Sequence, residues 1–149
     1  MANPYTQQYA QVQASTVSQE RLLVLLYEGA IKFLGQARES LGENRLSRGK
    51  TALSKAMAII AELQNSLDLK AGWSGAEDLY HLYGYMTLEL TQANLKGELE
   101  RIDQVRDLLG GLCDAWRQAI ESQEREAVAS RVPGAASLTG ERTRFRASV

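Results

Sequence analysis

The chain has 149 residues, of which 44% are hydrophobic and 7% aromatic, and its 17 basic and 18 acidic side chains leave a net charge of -1. That length supports one domain with its own core, without disulfide or metal staples, and the charge balance excludes a global pull toward nucleic acid or anionic lipid. A lone Cys113 cannot form an internal disulfide, the start MANPYTQQYAQV lacks the basic and apolar regions of a signal peptide, and the longest apolar run, LLVLLY at 22–27, is far shorter than the roughly 20 residues of a membrane span; a cytoplasmic protein with no membrane insertion is expected.

Only Pro4 and Pro133 could interrupt regular structure by ring constraint, and the chain between them shows apolar residues at helical spacing in four blocks. The expected fold is all-α, an antiparallel up-down-up-down four-helix bundle over 18–130, preceded by a flexible segment at 1–17 and followed by a disordered Arg-containing tail at 131–149. The first helix spans about 19–41, with Ser18 as its N-cap and Leu22, Leu26, Ala30, Phe33, Ala37 and Leu41 as its core stripe. Gly42-Glu43-Asn44 breaks the chain before a second helix, about 45–69, with Leu53, Met57, Ile60, Leu63 and Leu67 on one side. The glycines of LKAGWSGAED mark a loop that contains Trp73. A third helix, about 75–96, places Leu79, Leu82, Tyr83, Met86, Leu90 and Ala93 inward, and Gly97 ends it. The fourth, about 98–130, carries Ile102, Val105, Leu109, Leu112, Trp116 and Ile120, with Gly110-Gly111 marking either a bend or a close neighbouring backbone.

The stretch LYHLYGYM at 79–86 holds three of the six tyrosines and the only histidine, which raises the question of a reactive centre. A di-metal bundle site draws Glu-x-x-His from two helices, whereas this chain offers a single Asp78-x-x-His81. A Cys113–His81 nucleophilic pair would need both in one pocket; Cys113 lies on the core side of its helix, and His81 points about 160° away from the core stripe of its own. There is no Gly-rich phosphate loop and no Gly-x-Ser-x-Gly. Base stacking by the tyrosines would need interleaved cations, and residues 73–95 contain no Lys or Arg. The residues therefore point to a non-enzyme with no cofactor, no metal and no nucleic-acid partner.

What remains is surplus apolar surface. His81, Tyr85, Leu88 and Gln92 collect on the side of the third helix opposite its core, at the spacing of a strip that lies under a partner helix. In the first helix Val24 and Ile31 lie opposite the expected core stripe, flanked by Tyr27. Tyr5, Tyr9 and Val12 share the i, i+4, i+7 spacing in a Gln-rich segment, enough for a detachable cap over an apolar groove. Scattered surface apolars are the alternative explanation of the surplus on the two helices.

The segments NPYTQQY, SQERLLVLLYEGAIKFLGQA, IIAELQNSLDL, LYHLYGYMTLELTQAN and LLGGLCDAW, in this order, resemble the flagellin-specific export chaperones of bacteria, the FliS family, over about residues 4–121. The resemblance implies a cytoplasmic, non-enzymatic helical bundle that binds the disordered C-terminal segment of flagellin, prevents its premature polymerisation and supports delivery to the flagellar type III export apparatus. Export gate components are implied as further partners, with the client folding as it wraps the bundle and displaces the N-terminal cap. The family's motifs fall on Tyr5 and Tyr9, on Leu22, Leu26, Tyr27, Gly29, Ala30 and Ile31, and on Leu82, Tyr83, Tyr85, Met86, Ala93 and Asn94. Two positions depart from the pattern: Gln19 stands where proline often follows the serine, and Gly84 where an acidic residue often separates the tyrosines, opening a notch beside Tyr85 and Leu88. A self-associating structural or regulatory bundle with no unfolded client is the competing reading.

Overall fold

The computed structural model describes the backbone of residues 4–71 and 74–131, and the side chains of 19–70 and 74–131. Its elements are α1 (Pro4–Gly42), α2 (Leu46–Asn65), a 3-10 turn (Leu69–Ala71), α3 (Ser74–Lys96) and α4 (Glu100–Arg131), with no strand among the described residues. The chain divides into two compact units, Met1–Cys113 and Asp114–Val149.

The first unit is a four-helix arrangement whose contacts define its topology. Gly29 of α1 faces Ile59 of α2, and Leu41 faces Gly49, so these helices run antiparallel. Gln64 Nε2 donates to the Tyr80 carbonyl at 3.0 Å, joining the end of α2 to the start of α3. Arg101 reaches back from α4 to Glu89 of α3 at 2.9 Å, and Arg38 of α1 pairs with Asp103 of α4 at 3.1 Å. Each helix thus has two antiparallel neighbours, and α1 and α3 stand on the diagonal, where Tyr27 and Tyr83 meet with ring centroids 6.4 Å apart.

The core repeats at alternating steps of three and four in three helices: Tyr27, Ala30, Leu34 and Ala37 in α1; Leu53, Ala56, Ile60 and Leu63 in α2; Tyr83, Met86, Leu90 and Ala93 in α3; in α4 the steps are three, four and four, through Ile102, Val105, Leu109 and Cys113. The alternating steps of α1, α2 and α3 are the 3.5-residue period of helices packed near 20°, which keeps one seam facing inward.

The helix ends are written in backbone chemistry. Asn44 takes the left-handed conformation at φ 61°; Arg45 N–H then donates to Ser40 O at 2.8 Å and Asn44 N–H to Leu41 O at 3.2 Å, the paired bonds of a Schellman motif closing α1. Gly97, at φ 70°, closes α3 with a single bond to Ala93 O at 2.9 Å. Only glycine adopts that backbone without a Cβ penalty. Gly49 serves a different purpose: a Cβ there would lie 2.6 Å from the Leu41 side chain and 3.2 Å from its backbone nitrogen, so the α1–α2 junction closes because no side chain intervenes. At Gly110 and Gly111 a Cβ would meet nothing within 4 Å, and α4 runs through both as helix, so neither is required by a close approach.

Several expectations are corrected. The backbone of α1 is helical from Pro4, so Ser18 lies within the helix instead of capping it. No proline or glycine stands between residues 5 and 28 to stop propagation, which adds one hydrogen bond per residue once a helix is nucleated. The buried stripe of α1 contains Tyr27 and Leu34 in place of Leu26 and Phe33, which are half-buried, while Ala30 and Ala37 belong to both. The face is rotated by about 50°, half of one residue step. Leu22 is 53% exposed. From the Gly29–Ile59 register, Leu22 stands level with Ser66, just past the end of α2 at Asn65. Leu41, Met57, Leu67, Leu79, Leu82 and Leu112 are half-buried, at the edges of the seam. The sites of Trp73 and of the tail after Arg131 lie outside the described residues, as do the side chains of Tyr5, Tyr9 and Val12.

In the second unit, Asp114–Arg131 is highly charged helix, with Arg117–Asp114 at 3.1 Å and Arg125–Glu121 at 3.9 Å. Trp116 is half-buried, Ile120 is buried and Val128 is exposed.

Candidate functional site

The inward face of α3 is fully used by Ala76, Tyr83, Met86, Leu90 and Ala93. On its opposite face Tyr85 is 47% and Leu88 57% exposed, with Gln92 half-buried between them and the end of the helix. Leu95, 75% exposed, extends the same row by one turn. It was absent from the expected strip, although its i+7 spacing from Leu88 was legible. The row His81, Tyr85, Leu88, Gln92, Leu95 therefore runs along most of α3 as one outward stripe.

His81 is highly exposed, and its Nε2 lies 3.8 Å from Glu77 one turn earlier. An exposed i, i+4 pair of this kind contributes little. The Tyr80 ring meets the imidazole edge-on at 5.9 Å, leaving Tyr85 and Leu88 uncovered. Gly84 lies toward α2, where a Cβ would be 3.5 Å from Gln64 Nε2, so the notch beside Tyr85 is bounded by that amide. Among the described residues no group of three or more His, Cys, Asp or Glu is arranged to hold a metal ion. None of the described helices is long and apolar enough to cross a membrane.

Tyr27 does not belong to this surface. It is completely buried, and its hydroxyl hydrogen-bonds that of Tyr83 in the centre of the bundle. Burial is the main reason that the Tyr83 phenol is pushed well above the ordinary tyrosine value, with the bond to Tyr27 adding to it. A tyrosine is read from sequence as amphipathic edge, and the partner hydroxyl on the diagonal helix offsets the cost of burying its own. Val24 and Ile31 are half-buried, whereas the truly exposed leucines of α1 are Leu22 and Leu25. Ile31 faces the α4 side: from the Arg38–Asp103 register it stands level with Gly110.

The network at the α3–α4 edge holds the strip's helix in place. Arg101 Nη1 donates to both oxygens of Glu89, at 3.0 and 2.9 Å, and its Nε to Glu98 at 2.5 Å. The hydrogen bond from Arg101 keeps the Glu98 carboxyl below its usual range.

The family model described as Flagellar protein FliS matches residues 1–123. Flagellar secretion chaperone FliS of Salmonella typhimurium is 36% identical over 115 residues, covering 74% of this chain and 85% of that protein. The Bacillus subtilis protein of the same name is 32% identical over 124 residues, covering 83% and 91%, and that of Escherichia coli 32% over 122 residues, covering 78% and 90%. A crystal structure of a flagellar chaperone from bacteria superposes with a TM-score of 0.65 at 21% identity, over 78% of this chain and 98% of that one, which bears on the fold alone.

Proposed function

The chain belongs to the FliS family, whose members are flagellar secretion chaperones and not enzymes, and from that premise we propose that it captures the C-terminal segment of flagellin in the cytoplasm, prevents premature polymerisation and supports delivery to the flagellar type III export apparatus. The observation that carries this reading is the stripe on α3: an exposed Tyr85 and Leu88, continued by Leu95, on a helix whose other face is already filled by core. A surface of that form suits the apolar face of an amphipathic segment.

Client contacts are assigned to His81, Tyr85, Leu88 and Gln92 on α3, and to Val24 and Ile31 at the edge of α1. Ile31 faces the α4 side, and α4 packs against both α1 and α3, so a client touching both sets of residues crosses α4. A long disordered tail can follow such a curved path. Four or five buried side chains at about 1.5 to 3 kcal/mol each offset the roughly 2 to 5 kcal/mol of ordering the tail.

Titration of the purified protein with a synthetic flagellin C-terminal peptide, followed by circular dichroism, is expected to show more helix than the two components separately. Additive spectra at saturation would remove coupled folding from the mechanism. Residues 1–15, including Tyr5 and Tyr9, act in this reading as a competing cap. Their deletion is expected to raise the peptide's association rate in stopped-flow fluorescence, and an unchanged rate would rule out competition. Concentration-dependent sedimentation without any client would favour the self-associating alternative.

A further inference from the structure

A different face of the first unit carries a second feature. Between α1 and α2 lies an open concavity of about 440 Å³, lined by Gln36 of α1 and by Ser47, Arg48, Thr51, Ala52 and Lys55 of α2. Two of these six are cations, three are neutral hydrogen-bonding side chains, and none is a carboxylate. Arg48 and Lys55 form no ion pair among the described residues. The contrast with other edges is direct: Arg38 and Arg101, which bridge to and from α4, both meet acids. Lys55 Nζ instead lies 5.5 Å from the centre of the Phe33 ring, which orients the ammonium without neutralising it.

Arg48 and Lys55 are seven residues apart, two helical turns or about 10.5 Å along the axis of α2. A ligand that meets each cation over its own turn carries two anionic groups about that far apart. Two carboxylates two turns apart on a helix laid along the groove meet both, with Gln36, Ser47 and Thr51 available to the flanking polar atoms. Lys32, exposed one turn before Gln36 on α1, adds charge of the same sign to the groove's other wall. We propose that this concavity docks a helical segment of a partner protein bearing two acidic side chains two turns apart. The site is separate from the apolar α3 stripe and is read by charge, so its binding depends on salt where that of the stripe does not.

The test uses the full chain, isotopically labelled for amide NMR, and an alanine-rich helical peptide with glutamates seven residues apart. At about 50 mM salt, saturable shifts are expected at the amides of Gln36, Ser47, Thr51 and Lys55, and raising the salt to about 300 mM should weaken the interaction severalfold. Arg48→Gln and Lys55→Gln should each weaken it roughly two- to fivefold, the range of exposed ion pairs, with melting temperature unchanged and Lys55→Arg retaining binding. Equal binding by a peptide with glutamine at both positions, unchanged binding by the two variants, or saturation of the same amides by inorganic phosphate at no higher concentration would each overturn the proposal.

Discussion

Replacing Tyr85 and Leu88 together by aspartate is expected to weaken capture of the flagellin peptide by at least about 100-fold while leaving the fold intact. The two side chains are half-exposed in the free protein. Burying each under a client contributes about 1.5 to 3 kcal/mol, so losing both removes about 3 to 6 kcal/mol, or two to four decades of affinity. Aspartate also places charge against the client's apolar face. The free protein loses little, because neither side chain takes part in the seam, and surface replacements of this kind stay within about 0.5 kcal/mol each. Isothermal titration for affinity and thermal unfolding for stability separate the two effects. Leu90→Ala supplies the contrast: it empties a fully buried site of the same helix and should cost about 2 to 5 kcal/mol of stability. A Tyr85/Leu88 variant that melts as Leu90→Ala does would place the stripe in a core, and one that binds as tightly as the parent would move the client elsewhere.

How far the sequence carried depends on how many helices each inference involves. The stripe of α3 was legible because it needs one wheel: Tyr83 and Tyr85 are two residues apart, so if one faces the core the other faces away. The four helices followed from periodicity with Gly97 and Gly42-Glu43-Asn44 as punctuation. In α1 the apolar arc is broad, and hydrophobicity alone points to its wrong edge. Leu26 and Phe33 are as hydrophobic as Leu34 and more so than Tyr27, and the inward direction is set by α3, which the α1 wheel does not contain. That Leu22 stands just past the end of α2 depends on where α2 stops, and the concavity around Arg48 and Lys55 exists only once α1 lies beside them. Features made by one helix were readable, and features made between helices were not.

The tyrosine pair that sets the inward face of α1 also couples two diagonal helices through one buried hydrogen bond. Tyr27→Phe removes the hydroxyl bonded to Tyr83 while keeping both rings in place. The Tyr83 hydroxyl, still buried, then lacks that partner, which should cost about 1 to 3 kcal/mol in urea unfolding at pH 7. Tyr83→Phe removes the same bond from the other side and should also destabilise the fold. The double variant should lose at least about 1 kcal/mol less than the sum, because no stranded hydroxyl remains and two apolar rings fill the same space. Strict additivity would mean that the two hydroxyls are not energetically coupled. The pair also gives a signature in alkali. The Tyr83 phenol is held above its ordinary value of 10.0 by burial, so the unfolded chain releases this proton at lower pH than the folded one does. Its contribution is complete below pH 10 and is lost as pH rises above it, with a slope approaching 1.4 kcal/mol per pH unit. All other groups are common to the parent and Tyr83→Phe. The difference between the parent and Tyr83→Phe therefore isolates the buried phenol, and the parent's steeper loss of stability above pH 10 is the expected result. Equal slopes would mean that Tyr83 ionises as readily folded as unfolded, which a phenol sealed between α1 and α3 does not do. A diagonal clamp of this kind ties α3 to α1, so in the proposed reading the outward stripe that includes Tyr85, two residues away, meets a client on a helix already held by the core.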